Sequence, residues 1–437
     1  MESQAIMKVD RLVAFLEKYS FLYDKPNNEF LSQKMYADID SEWFEFMASL
    51  NWDELNRLPT DFAQFLDCPL SLKSFFSECQ ALSILSELHK ILQGANTMKK
   101  INDFKMPEMR RIKAKKRHEL EKFGELVLTE CRQRRITRIV DVGCGLGHML
   151  SFLNDRCSNE AETSIELVGV ETSEELCCGA RNLYGSNHIQ RVHIAPDDPQ
   201  TCKVLSVKGQ RTAIISLHGC GDLQPTLLSE FVKLHKKEPD NVPLLIMVGC
   251  CYHKLSKIDH DNWTMSYAVT KALKGNLFRL PTSAFRLACQ ERLSRWENTS
   301  PSEHQAHIQH FMNRTILECL YKTLGIDRKY QKRSMNRNLG TSIEEIQNTL
   351  LQRHNITDPN EQNEWRSIFQ EIRAEYAHTA TYVEPFTALQ FCIQALLESL
   401  ILGDRILYLQ ENGISAELQP VFQSNVSPRN MAIVARI

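Results

Sequence analysis

A glycine-rich turn is the part of this sequence whose residue types and spacing are best suited to bind a ligand. The turn is Asp141-Val-Gly-Cys-Gly-Leu-Gly147, and it lies between Arg138–Val140 and His148–Leu153. The first flank predicts a buried strand, and the second predicts the start of a helix. Glycines between a strand and a helix let the backbone approach a ligand closely, because no Cβ stands in the way. Such a turn can serve a dinucleotide, a nucleoside cofactor or no ligand at all.

An acidic residue after the next predicted strand narrows the choice of ligand. In nucleotide-binding sheets an acid about 20 residues beyond the glycines binds the ribose hydroxyls, and Glu171 ends a predicted strand 24 residues after Gly147. Dinucleotide-binding proteins need Gly-x-Gly-x-x-Gly, whereas this chain has His148 where the later glycine would fall. An aspartate followed by Gly-x-Gly-x-Gly resembles motif I of class I S-adenosylmethionine-dependent methyltransferases. We therefore expect S-adenosylmethionine as the cofactor, ahead of NAD.

The resemblance to motif I implies roles for individual residues. The residues that would hold the methionine part of the cofactor share the turn and are Asp141, Gly143, Gly145 and Gly147. Glu171 would bind the ribose hydroxyls. The acid that commonly follows the third strand, near the adenine, would be Asp197 or Asp198. Both stand between prolines, so a plain turn explains them as well.

Two further loops carry histidine and aspartate where predicted strands end. The fourth strand runs into Ser216–Leu223, with His218 and Asp222, and the fifth runs into Gly249–His253. Methyl transfer is a one-step displacement, so the protein must supply positioning and in some cases a general base. His218 has a suitable pKa for a base, Asp222 could orient it or the substrate, and His253 is a third candidate. The alternative is a hydrogen-bonded core histidine.

The cysteines of the same loops raise the question of a metal site. Cys220, Cys250 and Cys251 could gather with His253 as ligands. The loops lack a regular Cys-x-x-Cys pair, so we expect no metal. The alternative role is that of small apolar fillers. The 14 cysteines of the chain form no regular framework and are expected to be reduced thiols.

The alternation of apolar strands and helices predicts an α/β fold. The predicted strands are Arg138–Val142, Ile165–Val170, Val192–Ala195, Thr212–Leu217, Leu244–Val248, Ser415–Phe422 and Asn430–Ile437. They predict a mainly parallel, helix-covered sheet that resumes at the C-terminal end. The resemblance to motif I implies that this sheet is a class I Rossmann-like methyltransferase core with an antiparallel C-terminal strand. The predicted segments are a helical N-terminal lobe at 1–105, the cofactor-binding core at 106–255, a helical insertion at 256–410 and the last two strands at 411–437.

Several short segments together resemble the methyltransferase-like protein 25 family, including its ribosomal RNA adenine dimethylase domain-containing protein 1 branch. Besides the glycine turn, they are Lys115-Lys-Arg-His-Glu-Leu120, Leu217-His-Gly-Cys-Gly-Asp-Leu223, Val248-Gly-Cys-Cys-Tyr252, Ala288-Cys-Gln290, Glu398-Ser-Leu-Ile-Leu402, Asp404-Arg405 and Ser427-Pro-Arg-Asn430. Their order and number make the resemblance specific. It implies a methyltransferase with an undefined acceptor, with His118 and Glu119 against the cofactor and with Leu217 and His218 beside it.

RNA is the acceptor that two features suggest. The site loops are similar to those of tRNA 2′-O-methyltransferases with His-x-Cys-Gly and Cys-Cys-His segments. Six of the eight residues from Arg110 to Arg117 are basic and could contact phosphates. A solvated helix face explains that segment equally well, and the net charge of −2 indicates no general affinity for polyanions. An Asn-Pro-Pro-Tyr motif is missing from the sequence, which disfavours base N-methylation.

The remaining sequence features bear on location. No N-terminal segment resembles a signal peptide. The most apolar stretch, Ala388–Leu402, contains Glu398 and predicts a buried helix rather than a membrane span. We therefore expect a cytoplasmic or nuclear S-adenosylmethionine-dependent methyltransferase, possible RNA contact through Arg110–Arg117 and no membrane partner. The alternative is a non-catalytic protein that keeps the fold for interaction or RNA binding.

Overall fold

The fold is taken from a computed structural model of the chain. It describes residues 2–85, 112–158, 165–184, 188–256, 263–276, 278–290, 293–326 and 342–437.

Helices make up most of the described chain. The α-helices are α1 (Glu2–Lys18), α2 (Ser41–Ser49), α3 (Trp52–Asp61), α4 (Leu70–Leu82), α5 (Ala114–Gln133), α6 (His148–Ser158), α7 (Glu174–Tyr184), α8 (Pro199–Leu205), α9 (Leu223–Lys237), α10 (Tyr267–Asn276), α11 (Thr282–Leu287), α12 (Leu293–Trp296), α13 (Pro301–Thr323), α14 (Ile343–Arg353), α15 (Pro359–Glu375) and α16 (Val383–Glu411). Short 3-10 helices lie at Ser20–Leu22, Asn27–Glu29, Met35–Asp38, Phe62–Gln64, Tyr252–Lys254 and Ala377–Tyr382.

One seven-stranded sheet organises the rest. Its strands are β1 (Arg138–Val142), β2 (Glu166–Glu171), β3 (Ile189–Arg191), β4 (Thr212–Gly219), β5 (Leu244–Gly249), β6 (Ser415–Pro420) and β7 (Met431–Arg436). They are ordered β3-β2-β1-β4-β5-β7-β6. Strands β1 to β5 pair in parallel, and β7 runs antiparallel to both β5 and β6. This order differs from the dinucleotide-binding order 3-2-1-4-5-6, because the antiparallel β7 lies between β5 and β6. The Rossmann-like methyltransferase fold predicted from the sequence is confirmed.

Burial explains why the central strands form as predicted. Every residue of β1 and of β5 is buried, as expected for parallel strands covered by helices on both faces. The prediction for the third strand was wrong, because β3 spans Ile189–Arg191 and ends before the predicted strand Val192–Ala195 begins. Val192 donates its N–H to the Glu171 carbonyl oxygen at 3.1 Å, and the chain then leaves the sheet. The apolar residues at 192–195 line a cavity instead of extending the strand.

The described chain divides into two compact units. The first comprises 1–18, 79–294 and 394–437 and contains the whole sheet. The second comprises 19–78 and 295–393 and is helical. In the second unit the fully buried His304 stacks on Trp52, with ring centroids 4.7 Å apart, and its Nε2 lies 2.8 Å from Oδ1 of Asn56. The boundaries of these two units do not coincide with those of the four segments predicted from the sequence. The four segments remain a prediction.

The segment Ala388–Leu402 belongs to a long helix, as expected. Over the described residues, one helical stretch, Ala377–Glu411, has the length and hydropathy of a membrane span. Of its most apolar window, 83% is buried inside the protein. A single mostly buried helix of this kind is weak evidence for a membrane span, because core helices have the same composition.

The C-terminal half of α16 anchors the segment that precedes α10. Asp404 is fully buried and accepts hydrogen bonds from the backbone N–H groups of Met265 and Ser266 and from the Ser266 hydroxyl. Its neighbour Arg405, also fully buried, forms an ion pair with Asp404 and donates to the Trp263 carbonyl oxygen. The buried pair therefore holds residues 263–266 in place.

We expect Asp404→Ala to lower the free energy of unfolding by about 3–5 kcal/mol, because it leaves the buried Arg405 charge without its carboxylate. Denaturant unfolding of the full chain measures this loss. Asp240→Ala removes an exposed aspartate and should change stability by less than about 0.5 kcal/mol. Equal effects of the two substitutions would contradict the anchoring role of Asp404.

Candidate functional site

The glycine turn adopts a backbone that suits glycine at three positions. Gly143, Gly145 and Gly147 have φ angles of 74°, 57° and 76°. Gly143 N–H donates to the Val170 carbonyl oxygen at 2.8 Å, which ties the turn to the end of β2. Apart from Gly145 and its two chain neighbours, no heavy atom of the described residues lies within 4 Å of a Cβ built on Gly145. The turn thus presents bare backbone at the carboxyl end of β1, as its sequence predicts.

Glu171 connects β2 to the same turn. One carboxylate oxygen, Oε2, accepts the Gly145 N–H at 3.0 Å, and the other accepts the N–H groups of Thr172 and Ser173 at 2.9 and 3.0 Å. The carboxylate is therefore fixed beside the turn by backbone donors. This position at the end of β2 is the one expected for a residue that binds ribose hydroxyls.

Asp141 is buried beneath the turn at the end of β1. Burial raises the pKa of Asp141 to about 7; the Lys116 charge opposes this rise, and Glu171 adds to it. Lys116 lies on α5, and burial lowers its pKa while the charges of Glu119 and Asp141 raise it. The pair places a titratable carboxyl group within the predicted cofactor loop.

A cavity of about 820 Å³ opens at this edge of the sheet. Its lining includes the predicted residues Gly143, Glu171, Asp197 and Asp222, together with Cys220. The predicted residues Asp141, Gly145, Gly147, Asp198, Leu217, His218 and His253 are not among the described residues that line it. Ligands of open parallel sheets bind at this carboxyl edge, where the strand order reverses between β1 and β4, and the cavity lies there.

The two candidates for the adenine-side acid differ in environment. Asp198 caps α8, because its carboxylate accepts the N–H groups of Gln200 and Thr201 at 3.2 Å. Asp197 lines the cavity with a side chain that is 79% exposed, and it pairs with Lys233 at 2.6 Å. The geometry favours Asp197, while Asp198 has a structural role as a helix cap.

The carboxylate that contacts His218 comes from α5. Nε2 of His218 lies 3.4 Å from Oε2 of Glu119, and the Ser427 hydroxyl donates to Oε1 of Glu119 at 2.8 Å. Burial alone would raise the pKa of Glu119, but the hydrogen bonds from His218 and Ser427 and the nearby positive charges outweigh it and lower that pKa. The resemblance placed His118 and Glu119 against the cofactor; the structure adds that Glu119 pairs with His218.

The other predicted loop residues have separate partners. Oδ1 of Asp222 accepts the Ser256 N–H at 3.0 Å, so Asp222 joins the loops that follow β4 and β5. His253 lies in the 3-10 helix Tyr252–Lys254. Leu217 is buried in the core beside α5 and α6. A direct role of each in the reaction remains a prediction.

Three cysteine thiols meet between the same two loops. Sγ of Cys220 lies 2.8 Å from Sγ of Cys250, which lies 3.6 Å from Sγ of Cys251. The three sulfur atoms all lie within 4.8 Å of one another. Hydrogen bonding from Cys250, together with Cys251 and nearby positive charges, lowers the pKa of Cys220 to about 6. Sequence spacing gave no regular pattern for this cluster.

The described part of the basic segment lies near the glycine turn and His218. Residues 110 and 111 are outside the described residues. Lys116 interacts with Asp141, and Lys115 lies 3.9 Å from Glu119. Lys113 and Arg117 are exposed. The described basic side chains therefore lie on the α5 side of the strand ends.

The buried carboxyl of Asp141 predicts a pH-dependent stability. Because its pKa is higher in the folded than in the unfolded chain, the folded state binds more protons between about pH 4 and 7. Stability is therefore lost as the pH rises through this window, by about 1.4 kcal/mol for each unit of pKa difference. We expect Asp141→Asn to gain stability relative to the unmodified chain between pH 5 and 8. Denaturant unfolding across that range tests this, and parallel pH profiles would contradict it.

Comparison with known proteins identifies the domain that carries this site. A family model described as a methyltransferase domain matches residues 115–258. The mouse (Mus musculus) protein named probable methyltransferase-like protein 25 is 26% identical over 236 residues. The match covers 51% of this chain and 37% of the mouse protein, so it spans little more than a third of that relative's length.

Solved methyltransferases overlap with parts of the chain. The sugar N-methyltransferase KedS8 from a Streptoalloteichus species is 17% identical, with a TM-score of 0.22, and the match covers 35% of this chain and 57% of that one. The plantazolicin methyltransferase BpumL in complex with SAH is 13% identical, with a TM-score of 0.23, over 60% of this chain and 74% of that one. Similarities this low carry no functional argument. On the strand order and the family match, residues 115–258 form a methyltransferase domain, and the chain is similar to methyltransferase-like protein 25.

Proposed function

We propose that this chain is an S-adenosylmethionine-dependent methyltransferase. The observation that carries the proposal is the bare glycine turn at the end of β1, with Glu171 hydrogen-bonded to it, at the edge of a cavity of about 820 Å³. Sheet order and the methyltransferase-domain match support the same function.

The residues present fit this cofactor. The space in front of Gly145 admits a ligand close to the backbone. Glu171 offers a carboxylate for ribose hydroxyls, Asp197 offers one on the next part of the cavity wall, and Val170 and Ile194 add apolar lining. A donor with a hydroxylated sugar, an aromatic base and a positive charge matches acidic groups combined with apolar walls.

The chain must also prepare the acceptor. When bound, the cofactor supplies an electrophilic methyl group. We assign His218 as the general base, because its imidazole can accept a proton at one nitrogen while Nε2 stays beside Glu119. The buried carboxylate stabilises the protonated ring, and Ser427 fixes that carboxylate. Asp222 and the loop after β5 would position the acceptor.

RNA is the acceptor class that we propose for this site. Lys113, Lys115 and Arg117 are exposed; Lys115 lies 3.9 Å from Glu119, and the neighbouring Lys116 interacts electrostatically with Asp141. Cations next to the base can hold a phosphate backbone without reading its sequence. The rival function is a non-catalytic protein that binds the cofactor or RNA only.

Cofactor binding is tested at Gly145. The substitution Gly145→Arg places a long side chain in the open space before the turn, so binding of S-adenosylmethionine and S-adenosylhomocysteine should be lost. Gly209→Arg is a matched control, since Gly209 has a φ of 81° and similar open space, in the loop that precedes β4 at the other edge of the sheet. Titration calorimetry compares the variants. Absent binding by the unmodified chain, or equal binding by Gly145→Arg, would refute the proposed cofactor site.

Catalysis is tested by label transfer from tritiated S-adenosylmethionine into RNA, protein and small molecules from cells lacking the protein. We expect label in a ribonuclease-sensitive fraction and a loss of roughly 10²- to 10⁴-fold with His218→Ala, since that is the usual contribution of a general base. Cofactor affinity should persist. His310→Ala, at an exposed position of α13, is the control. Transfer that His218→Ala leaves unchanged would remove the general base, and cofactor binding with no transfer to any fraction would favour the non-catalytic function.

A further inference from the structure

The three-cysteine cluster stands apart from the roles assigned above. Cys220 follows β4, and Cys250 and Cys251 follow β5. Parallel pairing places Gly219 opposite Gly249, so the next residues of both strands leave the sheet side by side. Neighbouring strands lie about 4.8 Å apart, and this spacing brings thiols 30 residues apart in the sequence into one cluster.

The sulfur geometry is close to that of a metal site. In a tetrahedral zinc site with Zn–S distances of about 2.3 Å, sulfur atoms lie about 3.8 Å apart. The Cys250–Cys251 separation of 3.6 Å is near this value, and all three sulfur atoms lie within 4.8 Å of one another. The Cys220–Cys250 separation of 2.8 Å is longer than the roughly 2.05 Å of a disulfide. It is about 1 Å shorter than the sulfur separation of a zinc site, so these two thiols would move apart when the ion binds.

The presence of a third thiol favours a metal site over a disulfide. A disulfide uses two cysteines, whereas this cluster contains three soft donors, the ligand type that selects zinc over magnesium or calcium. Three thiolates around a divalent ion carry one net negative charge.

The loops that carry the thiols are closely packed. A Cβ at Gly249 would lie 2.1 Å from the Gln224 amide, and one at Gly221 would lie 2.8 Å from the Lys254 carbonyl oxygen. The Asp222–Ser256 hydrogen bond joins the loops on the cavity side. The two loops that carry the thiols are thus packed against each other and joined by a hydrogen bond, with little space at Gly221 or Gly249.

We propose that Cys220, Cys250 and Cys251 bind one zinc ion, which links the loops after β4 and β5 at the wall of the cavity. Because Cys220 lines the cavity, the fourth coordination position is left to water or another small ligand. The ion would fix the loop that bears Asp222.

The test is the metal content of the 437-residue chain purified in the presence of zinc chloride and without chelators. We expect one equivalent of zinc by mass spectrometry, a loss of at least tenfold in affinity with Cys220→Ser or Cys251→Ser, and no change with Cys178→Ser. Cys178 is an exposed cysteine on α7. Zinc retained by both cluster variants would overturn the proposal.

A second measurement keeps the proposal falsifiable if a cluster variant fails to fold. The unmodified chain, loaded with Co²⁺ in place of zinc, should show the sulfur-to-cobalt charge-transfer band of a tetrahedral thiolate site. Thiol titration in denaturant and chelator should find all 14 cysteines reduced. A count of 12, or a chain that binds neither ion, would overturn the proposal. These readouts do not depend on methyl transfer, so failure of the proposed enzymatic function leaves them interpretable.

Discussion

The parallel pairing of β1, β2, β4 and β5 brings the chemical groups of this chain together. Parallel strands end at the same edge of a sheet, and each strand here is followed by a loop with polar or sulfur-bearing residues. Asp141, Glu171, His218 and Cys250 are spread over more than a hundred residues of sequence, yet they lie at this single edge. Strand β7 is antiparallel to β5 and therefore begins at the same edge. Ser427, which precedes β7, donates a hydrogen bond to Glu119 there.

Helix α5 supplies charged residues that interact with polar groups at the carboxyl edge of the sheet. Two buried carboxylates, Asp141 and Glu119, would be costly without partners. Lys116 lies near Asp141, and His218 and Ser427 hydrogen-bond to Glu119. The first turns of α5 are thereby fixed against the loops by electrostatics as well as by apolar packing of Leu120 and Phe123. The pKa values of the two carboxyl groups therefore shift in opposite directions. Glu119 has the stronger set of donors and its pKa is lowered, whereas the pKa of Asp141 is raised.

Sequence patterns predicted the elements that depend on local chemistry. The bounds of β1 agree with the prediction, and the turn after it has the three positive φ angles that its glycines permit. The third strand was misplaced because Val192 and Ile194 are apolar for a different reason: they line a cavity. Local propensity does not distinguish a strand from an apolar cavity wall.

Contacts between distant segments were harder to predict. The sequence suggested Asp222 as a partner for His218, since the two lie in one loop, but the observed neighbour Glu119 is on a helix about a hundred residues earlier. The sequence named the three cysteines as residues that could gather, but their spacing gave no reason to expect a metal, because ligand-spacing rules describe single loops whereas these thiols come from two parallel strands. Strand register, which the sequence alone does not reveal, decides which side chains meet.

The cavity wall formed by Trp263–Met265 is held by contacts other than those that hold the glycine turn. The ends of the core strands form the wall proposed to bind the donor, while Trp263–Met265 is attached to α16 through Asp404 and Arg405. Substitutions in Trp263–Met265 can therefore change the shape of the space proposed for an acceptor without disturbing the glycine turn. Related chains with the same turn can therefore share a methyl donor and still differ in the molecule that they modify.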